Sequence, residues 1–330
     1  MLDGKSILIT GGTGSFGKKF VEVVLRDFKP RRLIVFSRDE LKQHEMRQVF
    51  PDHTKSPLRY FVGDVRDRDR LLRAFHGGGG VDVVVHAAAL KQVPTCEYNP
   101  FEAVKTNILG TKNVVDASID CGVKKVMLIS TDKAVNPINL YGATKLCAEK
   151  LLIQANAYSS QSGTKFSVCR YGNVLGSRGS VVPLFREQAK TGAITVTDPE
   201  MTRFWVTLDQ GVRFVIHCLN NMHGGEVFVP KLPAMNLLDL ACALAPGCKV
   251  DHIGIRPGEK LHEVLISEDE ARMAVELDDM YVVRPHHVWW RDENWVDAKQ
   301  VAKGFSLTSD NDPWRLSEDD LLKLLEGLGD

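Results

Sequence analysis

The residues of this sequence best suited to chemistry lie in one segment, Ser130 to Lys145, which reads STDKAVNPINLYGATK. Tyr141 and Lys145 are four positions apart and would share one face of a helix. A tyrosine with a pKa near 10 is a poor base at neutral pH, but a nearby ammonium group can lower that pKa. The spacing therefore predicts a phenolate that removes the proton of a hydroxyl group.

The same segment places acidic Asp132 directly beside basic Lys133, in the turn before the tyrosine. An Asp-Lys dipeptide is usually part of a solvated turn. Next to a Tyr-x-x-x-Lys pair, however, an adjacent acid and base form a candidate site for proton transfer. Asp132 and Lys133 are therefore candidate catalytic residues together with Tyr141 and Lys145.

The elements around this segment indicate an α/β fold. From residue 1 to about 172, short apolar runs alternate with amphipathic segments of helix length. The runs are rich in β-branched residues, which is typical of parallel strands buried on both faces. We predict a doubly wound parallel sheet with helices over about 17–27, 39–50, 67–76, 100–120 and 141–160, followed by a strand in KFSVCRYGNV.

The regular alternation ends after about residue 175. Segments such as VTDPEMTRFW and GIRPGEKLHE are dense in Gly, Pro, Arg and aromatic residues, as ligand-covering loops often are. We predict a Rossmann cofactor domain over 1–175 and a smaller substrate domain over 176–330. The strand GEVFVP at 225–230 is a candidate to return to the main sheet, which would interleave the two domains.

A glycine-rich turn follows the first predicted strand in ITGGTGSFG, with the spacing G-x-x-G-x-x-G. Between a strand and a helix, this pattern predicts a dinucleotide whose pyrophosphate lies at the helix N-terminus. Ser37 and Arg38 end the second strand where an acid would bind the ribose of NAD; since arginine can pair with a 2′-phosphate, we predict NADP. By analogy with this fold class, the cofactor-binding residues are Gly11, Thr13, Gly14, Ser15, Phe16, Gly17, Ser37, Arg38, Lys42, Asp64, Val65, Ala87, Ser130, Tyr141, Lys145 and Val174.

The composition restricts the partners. Acidic and basic residues number 42 each, which favours neither nucleic acid nor an anionic membrane surface. The seven cysteines have no C-x-x-C spacing and the ten histidines have no metal-ligand spacing, so we expect free thiols and no metal site. With no recognisable leader and no membrane-spanning apolar run, we predict a soluble, cytoplasmic protein.

The glycine-rich turn, Ser130, Tyr141 and Lys145 together resemble the extended short-chain dehydrogenase/reductase superfamily. A finer match is carried by STDKAVNPINLYGATK, HAAALKQVPTCEYNP, RYGNVLGSRGSVVPLF, MTRFW and IRPGEKLHEV. These segments resemble the inverting UDP-N-acetylglucosamine 4,6-dehydratases, which begin pseudaminic acid and related bacterial pathways. The resemblance covers residues 1 to about 285 and returns in PWRLSEDDLLKLL, whereas residues 285–312 carry no motif with a recognised role.

The resemblance implies an NADP-dependent lyase that acts on a UDP-sugar and forms a homo-oligomer, a dimer or a hexamer. In this family, oxidation at C4 acidifies the C5 proton, and loss of that proton and of the C6 hydroxyl gives an enone. Hydride then returns to C6, and C5 is reprotonated on the opposite face. The resemblance makes Lys133 the base for C5 and Asp132 the acid for the C6 hydroxyl.

A base at position 133 must lose its ammonium proton, so its pKa must fall from about 10.4. We expect burial, Lys145 and the oxidised nicotinamide to lower this pKa, and Asp132 to raise it unless the aspartate is protonated. The hypothesis that follows is a coupled pair of protonated Asp132 and neutral Lys133.

Four residues are candidates for substrate binding: Lys91 after the fourth strand, Asn173 at the seam between the domains, and Arg203 and Arg256 for a diphosphate. The lysine could instead be a surface residue, and either arginine a surface ion pair.

Three other functions stay open: a nucleotide-sugar 4-epimerase, which would not need the Asp-Lys pair; a C5-retaining dehydratase, whose relatives differ at the tyrosine position; and a non-catalytic NADP-sensing module.

Overall fold

The first half of the chain alternates strands and helices in the computed structural model, which describes residues 2–177, 180–287, 290, 292–314, 316 and 320. Up to residue 171 the elements are β1 (Ser6–Thr10), α1 (Ser15–Asp27), β2 (Arg32–Ser37), α2 (Glu40–Val49), β3 (Leu58–Val62), α3 (Arg68–His76), β4 (Val83–His86), α4 (Val93–Tyr98), α5 (Pro100–Ala103), α6 (Gly110–Asp120), β5 (Lys125–Thr131), α7 (Leu140–Tyr158) and β6 (Lys165–Tyr171). Strands β1 and β4 are buried along their whole length, whereas only Leu58 of β3 is buried. The predicted doubly wound α/β fold is confirmed.

The sheet places the site by its strand order. Strands β1 to β6 are parallel and lie in the order β3-β2-β1-β4-β5-β6. Strand β1 therefore has β2 on one side and β4 on the other, and the winding reverses there. In open α/β sheets, such a reversal leaves a crevice for ligands at the carboxyl ends of the strands.

The second half of the chain adds strands to the same sheet. Its elements are β7 (Asn173–Val174), α8 (Val181–Ala189), β8 (Ala193–Val196), β9 (Thr202–Val206), α9 (Leu208–Asn221), β10 (Val227–Pro230), β11 (Ala234–Asn236), α10 (Leu237–Leu244), β12 (Lys249–His252), β13 (Val264–Ile266), α11 (Glu268–Ala271), β14 (Ala274–Glu276), β15 (Met280–Val283), β16 (Lys299–Gln300) and β17 (Leu307–Thr308). Strand β10 pairs in parallel with β6, and β15, β14 and β16 continue the sheet with antiparallel pairing. The strand near 225–230 thus lies in the main sheet.

Smaller sheets and a separate apolar cluster lie beside the main sheet. The small sheets pair β11-β9-β7, β12-β8 and β13-β17. The separate cluster includes Phe185, Trp205 and Leu240. The division into domains at residue 175 stays a prediction. Within the described ranges, none of the helices has the length and apolar character needed to cross a bilayer.

Two predicted elements are interrupted. The helix expected over 100–120 contains a π-helical segment, Val104–Leu109, between α5 and α6. There the Asn107 amide exchanges hydrogen bonds with the backbone of Leu90, at 2.8 and 2.9 Å, and donates to Thr144 on α7. The strand expected in KFSVCRYGNV divides at Gly172, because β7 leaves the main sheet to pair with β9. Both interruptions serve long-range contacts that local sequence patterns do not encode.

A buried ion cluster ties α7 to the C-terminal part of the chain. The Arg170 side chain on β6 is 1% exposed and donates to Glu149 of α7 at 2.7 Å and to Glu270 of α11 at 3.0 Å. Its other terminal nitrogen donates to the carbonyl of Leu265 at 2.9 Å. Removing one member of such a cluster leaves the others charged and unpaired.

Substitution Arg170→Met is expected to lower the free energy of unfolding by about 3–5 kcal/mol, because buried Glu149 and partly buried Glu270 lose their cation. Arg213→Met is the matched control, since Arg213 pairs with Asp209 but is 54% exposed, and should cost at most about 1 kcal/mol. Urea unfolding of both variants measures the difference. Equal losses would show that the buried cluster contributes no more than a surface pair.

Candidate active site

The glycine-rich turn opens into a cleft of about 1110 Å³ at the carboxyl ends of β1, β2, β4 and β5. Gly11 has a φ of +66°, and a Cβ there would lie 2.9 Å from the backbone of Ala88, so both conformation and space require glycine. The N-terminus of α1 follows at Ser15, with Gly14 as its N-cap. All sixteen residues predicted to bind the cofactor line this cleft.

The far end of the cleft carries the groups predicted to select NADP. Asp39 caps α2, and its two oxygens contact the backbone nitrogen of Lys42 at 2.9 Å and the Lys42 Nζ at 2.6 Å. Its carboxylate is thus already used by the helix. Arg38 is 55% exposed and lies 3.7 Å from Asp64, and the hydroxyls of Ser37 and Thr13 are 2.7 Å apart.

Helix α7 presents Tyr141 and Lys145 to the same cleft. Burial lowers the pKa of Lys145 to about 8, with Glu149 opposing the shift, and its Nζ donates to the carbonyl of Ile129 at 2.7 Å. Burial raises the pKa of Tyr141 to about 12, although Lys133 and the Thr131 hydroxyl act to lower it. In the protein alone, therefore, the Tyr141 pKa is not lowered as the sequence predicts. The cation that acts to lower it is Lys133, not Lys145.

Asp132 lies behind the wall of the cleft, where its side chain is fully buried. Oxygen Oδ1 accepts hydrogen bonds from the Thr131 hydroxyl at 2.9 Å and from Lys133 Nζ at 3.0 Å. Oxygen Oδ2 has no hydrogen-bond partner among the described residues. Burial raises the pKa of Asp132 despite the opposing charge of Lys133, as the hypothesis of a protonated aspartate requires.

Lys133 is held by three acceptors. Its Nζ lies 3.0 Å from Asp132 Oδ1, 3.2 Å from Asn173 Oδ1 and 3.1 Å from Glu263 Oε1. Burial acts to lower the pKa of this lysine, but the carboxylates of Asp132 and Glu263 outweigh it and raise the pKa above the usual value. Burial and Asp132 thus shift the Lys133 pKa in the expected directions, and Glu263, a second carboxylate, adds to the effect of Asp132.

The contact between α7 and the turn at Lys133 requires a glycine at position 142. A Cβ at Gly142 would lie 2.1 Å from the carbonyl oxygen of Lys133. Asn139 caps the helix by accepting from the Gly142 nitrogen at 2.8 Å, and its amide donates to Gly258 at 2.7 Å. Tyr141 is thereby fixed beside Lys133 and beneath the segment that contains Gly258.

The four predicted substrate residues also line the cleft, but they differ in their availability. Arg203 is buried and donates to the carbonyls of Thr202, Leu261 and Lys260 at 2.7, 3.0 and 3.0 Å, so it holds the chain near residue 261 in place. Arg256 is 53% exposed. The Lys91 pKa is lowered by burial and by Lys133. Asn173 contacts Lys133, as described above.

Two residues at the centre of this site were missed in the sequence. Thr131 lies between Asp132 and Tyr141 and lines the cleft; its place directly before the Asp-Lys pair was the available signal. Glu263 comes from a segment about 130 residues later than Lys133. Its motif, IRPGEKLHEV, was noted for resemblance, but no local spacing connects it to the lysine.

Known proteins resemble this chain over the residues that form the cleft. Residues 7–285 match the family described as polysaccharide biosynthesis protein. The chain belongs to this family. It is 50% identical to the UDP-N-acetylglucosamine 4,6-dehydratase (inverting) of Campylobacter jejuni, over 98% of both chains. It is 45% identical to a UDP-glucose 4-epimerase of Rickettsia massiliae, over 97% of this chain and 95% of that one.

A solved structure, Pen from Bacillus thuringiensis, is 40% identical and superposes with a TM-score of 0.90 over 99% of this chain and 98% of that one. The resemblance to inverting dehydratases found in the motifs is confirmed by the Campylobacter relative. Every cleft residue from Gly11 to Glu263 lies inside the range matched by the polysaccharide biosynthesis family. Both walls of the cleft therefore belong to the shared part of the chain.

Substitution Gly142→Ala is expected to destabilise the protein by about 1–3 kcal/mol, because the added Cβ collides with the Lys133 carbonyl. Gly211→Ala is the control: it lies inside α9, its nearest neighbour would be 4.0 Å away, and alanine should stabilise the helix by up to about 1 kcal/mol. Chemical denaturation of both variants measures the two changes. Changes of the same sign would contradict the close contact.

Proposed function

We propose that the chain is an NADP-dependent UDP-N-acetylglucosamine 4,6-dehydratase that inverts C5. Its product would be a UDP-2-acetamido-2,6-dideoxy-4-keto-L-arabino-hexose. The observation that carries the proposal is the Lys133 amine, 3.0 Å from buried Asp132, in the cleft beside Tyr141. An epimerase acting at C4 needs the tyrosine and Lys145, but it has no step for this second acid–base pair.

The first half of the reaction takes place at C4 of the sugar. Tyr141 accepts the proton of the C4 hydroxyl, and Lys145 holds the nicotinamide ribose and adds positive charge. A bound nicotinamide supplies the hydride acceptor for C4 and later the hydride donor for C6. Because burial keeps the Tyr141 pKa near 12 in the protein alone, the phenolate depends on Lys133, Thr131 and the charge of the cofactor.

The second half removes water across C5 and C6. Lys133 takes the proton from C5, and the proton that the departing C6 hydroxyl needs comes from Asp132. Since Asp132 does not reach the cleft, the Thr131 hydroxyl, which donates to Asp132 Oδ1 at 2.9 Å, is the relay: it turns to give its own proton to the C6 hydroxyl and takes the proton of Asp132 in exchange. One proton leaves C5 and one joins the hydroxyl to form water, so the elimination is balanced. A solvent-derived proton added to C5 on the face opposite Lys133 completes the inversion.

The choice of NADP is supported by the far end of the cleft, where Arg38 and Lys42 lie beside Ser37 and where Asp39, the acid just after β2, is used to cap α2. A cytoplasmic location, a place at the start of a pseudaminic acid type of pathway, and a dimeric or hexameric state are proposed on the resemblance. Sedimentation of the purified chain measures the last of these.

The test of the activity is incubation with UDP-N-acetylglucosamine and NADP in D₂O, followed by NMR. We expect a 4-keto-6-deoxy product with deuterium at an inverted C5. Tyr141→Phe should abolish turnover, and Lys133→Met should abolish deuterium entry at C5. A C4 epimer, the activity in the name of the Rickettsia relative, or a retained C5 would refute the proposal.

The test of cofactor choice compares NADP and NAD binding in an Arg38→Ala variant by calorimetry. Loss of a charge-assisted contact to the 2′-phosphate should weaken NADP by about 10-fold or more while leaving NAD almost unchanged. Arg31→Ala is the control, because Arg31 is half-exposed and precedes the opposite end of β2. An unchanged ratio of the two affinities in Arg38→Ala would remove Arg38 from this role.

A further inference from the structure

Glu263 reaches the Lys133 amine from a different part of the chain. It directly precedes β13, its side chain is 2% exposed, and its Oε1 lies 3.1 Å from the Lys133 Nζ. It also lines the cleft. A buried carboxylate is costly unless it is paired, so the position of Glu263 is explained by the cations around it.

The backbone of Glu263 is fixed on both sides. Its nitrogen donates to the hydroxyl of Ser309 at 2.9 Å, and the Ser309 nitrogen donates back to the Glu263 carbonyl at 2.9 Å. Arg203 Nε lies 3.8 Å from Oε1 and Lys260 Nζ lies 3.8 Å from Oε2. Burial acts to raise the pKa of Glu263, but Lys133, Arg203 and Lys260 outweigh it and keep the carboxylate ionised.

The geometry around Lys133 matches the charged form of the lysine. An ammonium group has three N–H donors and no acceptor, and three acceptor oxygens surround this one, from Asp132, Asn173 and Glu263. The charged form therefore satisfies all three contacts, whereas the neutral amine has one donor fewer. Of the two carboxylates, Glu263 is the one that lines the cleft.

We propose that Glu263 is a positioning residue for Lys133: it fixes the amine between Asp132 and Asn173 at the cleft surface and stabilises its ammonium form, which must lose one proton to solvent before the lysine can act as the base. This inference rests on the proposed function of Lys133 at C5. Glu263 thus acts through the lysine, and its charge sets the pH at which the lysine becomes a base.

Other groups also face Lys133 and share in its titration. Besides Glu263, they are Asp132 in the turn, Tyr141 on α7, Arg203 on β9, Lys91 in the loop after β4, and Lys260 in the loop before β13. Arg203, Lys91 and Lys260 oppose the ammonium charge. With Glu263 neutralised, the Lys133 ammonium group loses a negative neighbour while the three cations remain, so the neutral amine should form at lower pH.

The test measures the rate of C5 deuterium exchange against pH in the intact protein with UDP-N-acetylglucosamine and NADP. The variants are Glu263→Gln, which removes the charge, and Glu263→Asp, which keeps it on a shorter side chain. Glu268→Gln is the matched control, because Glu268 is exposed in the first turn of α11 and lies outside the cleft. Thermal unfolding of each variant reports whether it is folded.

In Glu263→Gln we expect the rising limb of the pH profile to move down by about one pH unit or more, with a lower plateau rate because the amine is less fixed. Glu263→Asp should keep the limb near its original position, which also covers the case in which the glutamine variant does not fold. Three outcomes would overturn the inference. The rising limb could stay in place in Glu263→Gln, or it could move equally in Glu268→Gln. It could also move as far in Glu263→Asp as in Glu263→Gln. Failure of the proposed function looks different: Lys133→Met would then exchange C5 at the original rate.

Discussion

The three contacts of the Lys133 amine join parts of the chain that are far apart in sequence. Asp132 is its neighbour at the end of β5, Asn173 follows β6, and Glu263 precedes β13. Each segment is held in a different way. Asp132 follows a strand of the main sheet, Asn173 belongs to β7, which pairs with β9, and the segment of Glu263 is held by hydrogen bonds with Ser309 and Arg203. Three segments that are supported separately therefore meet at one charged nitrogen on the wall of the cleft.

The pKa values of two lysines in the same cleft are shifted in opposite directions by their surroundings. Lys145 has one carboxylate nearby, Glu149, and that carboxylate is shared with Arg170, so burial prevails and the Lys145 pKa falls to about 8. Lys133 has two carboxylates, and its pKa rises. Glu149, the carboxylate that acts to raise the Lys145 pKa, is thus also a member of the Arg170 cluster that ties α7 to the C-terminal part of the chain.

Much of this arrangement could be predicted from the sequence, because its signals are local. The glycine-rich turn, the β-branched strands and the spacing of Tyr141 and Lys145 each fall within one element and its flanks. The second carboxylate beside Lys133 could not be predicted, since Glu263 is joined to the lysine only by the tertiary fold. The same holds for the π-helical turn at Asn107, and the predicted phosphate role of Arg203 overlooked the carbonyls that occupy its donors.

The pairing of β10 with β6 has a consequence for biosynthesis. Until residue 230 has left the ribosome, β6 is the outer strand of a half-built sheet and exposes an unpaired row of backbone donors and acceptors. Its residues from Phe166 to Tyr171 are buried in the finished protein and would meet water, or other nascent chains, during that interval. Such an edge is prone to aggregation. A chain shortened to its first 175 residues would keep this open edge permanently.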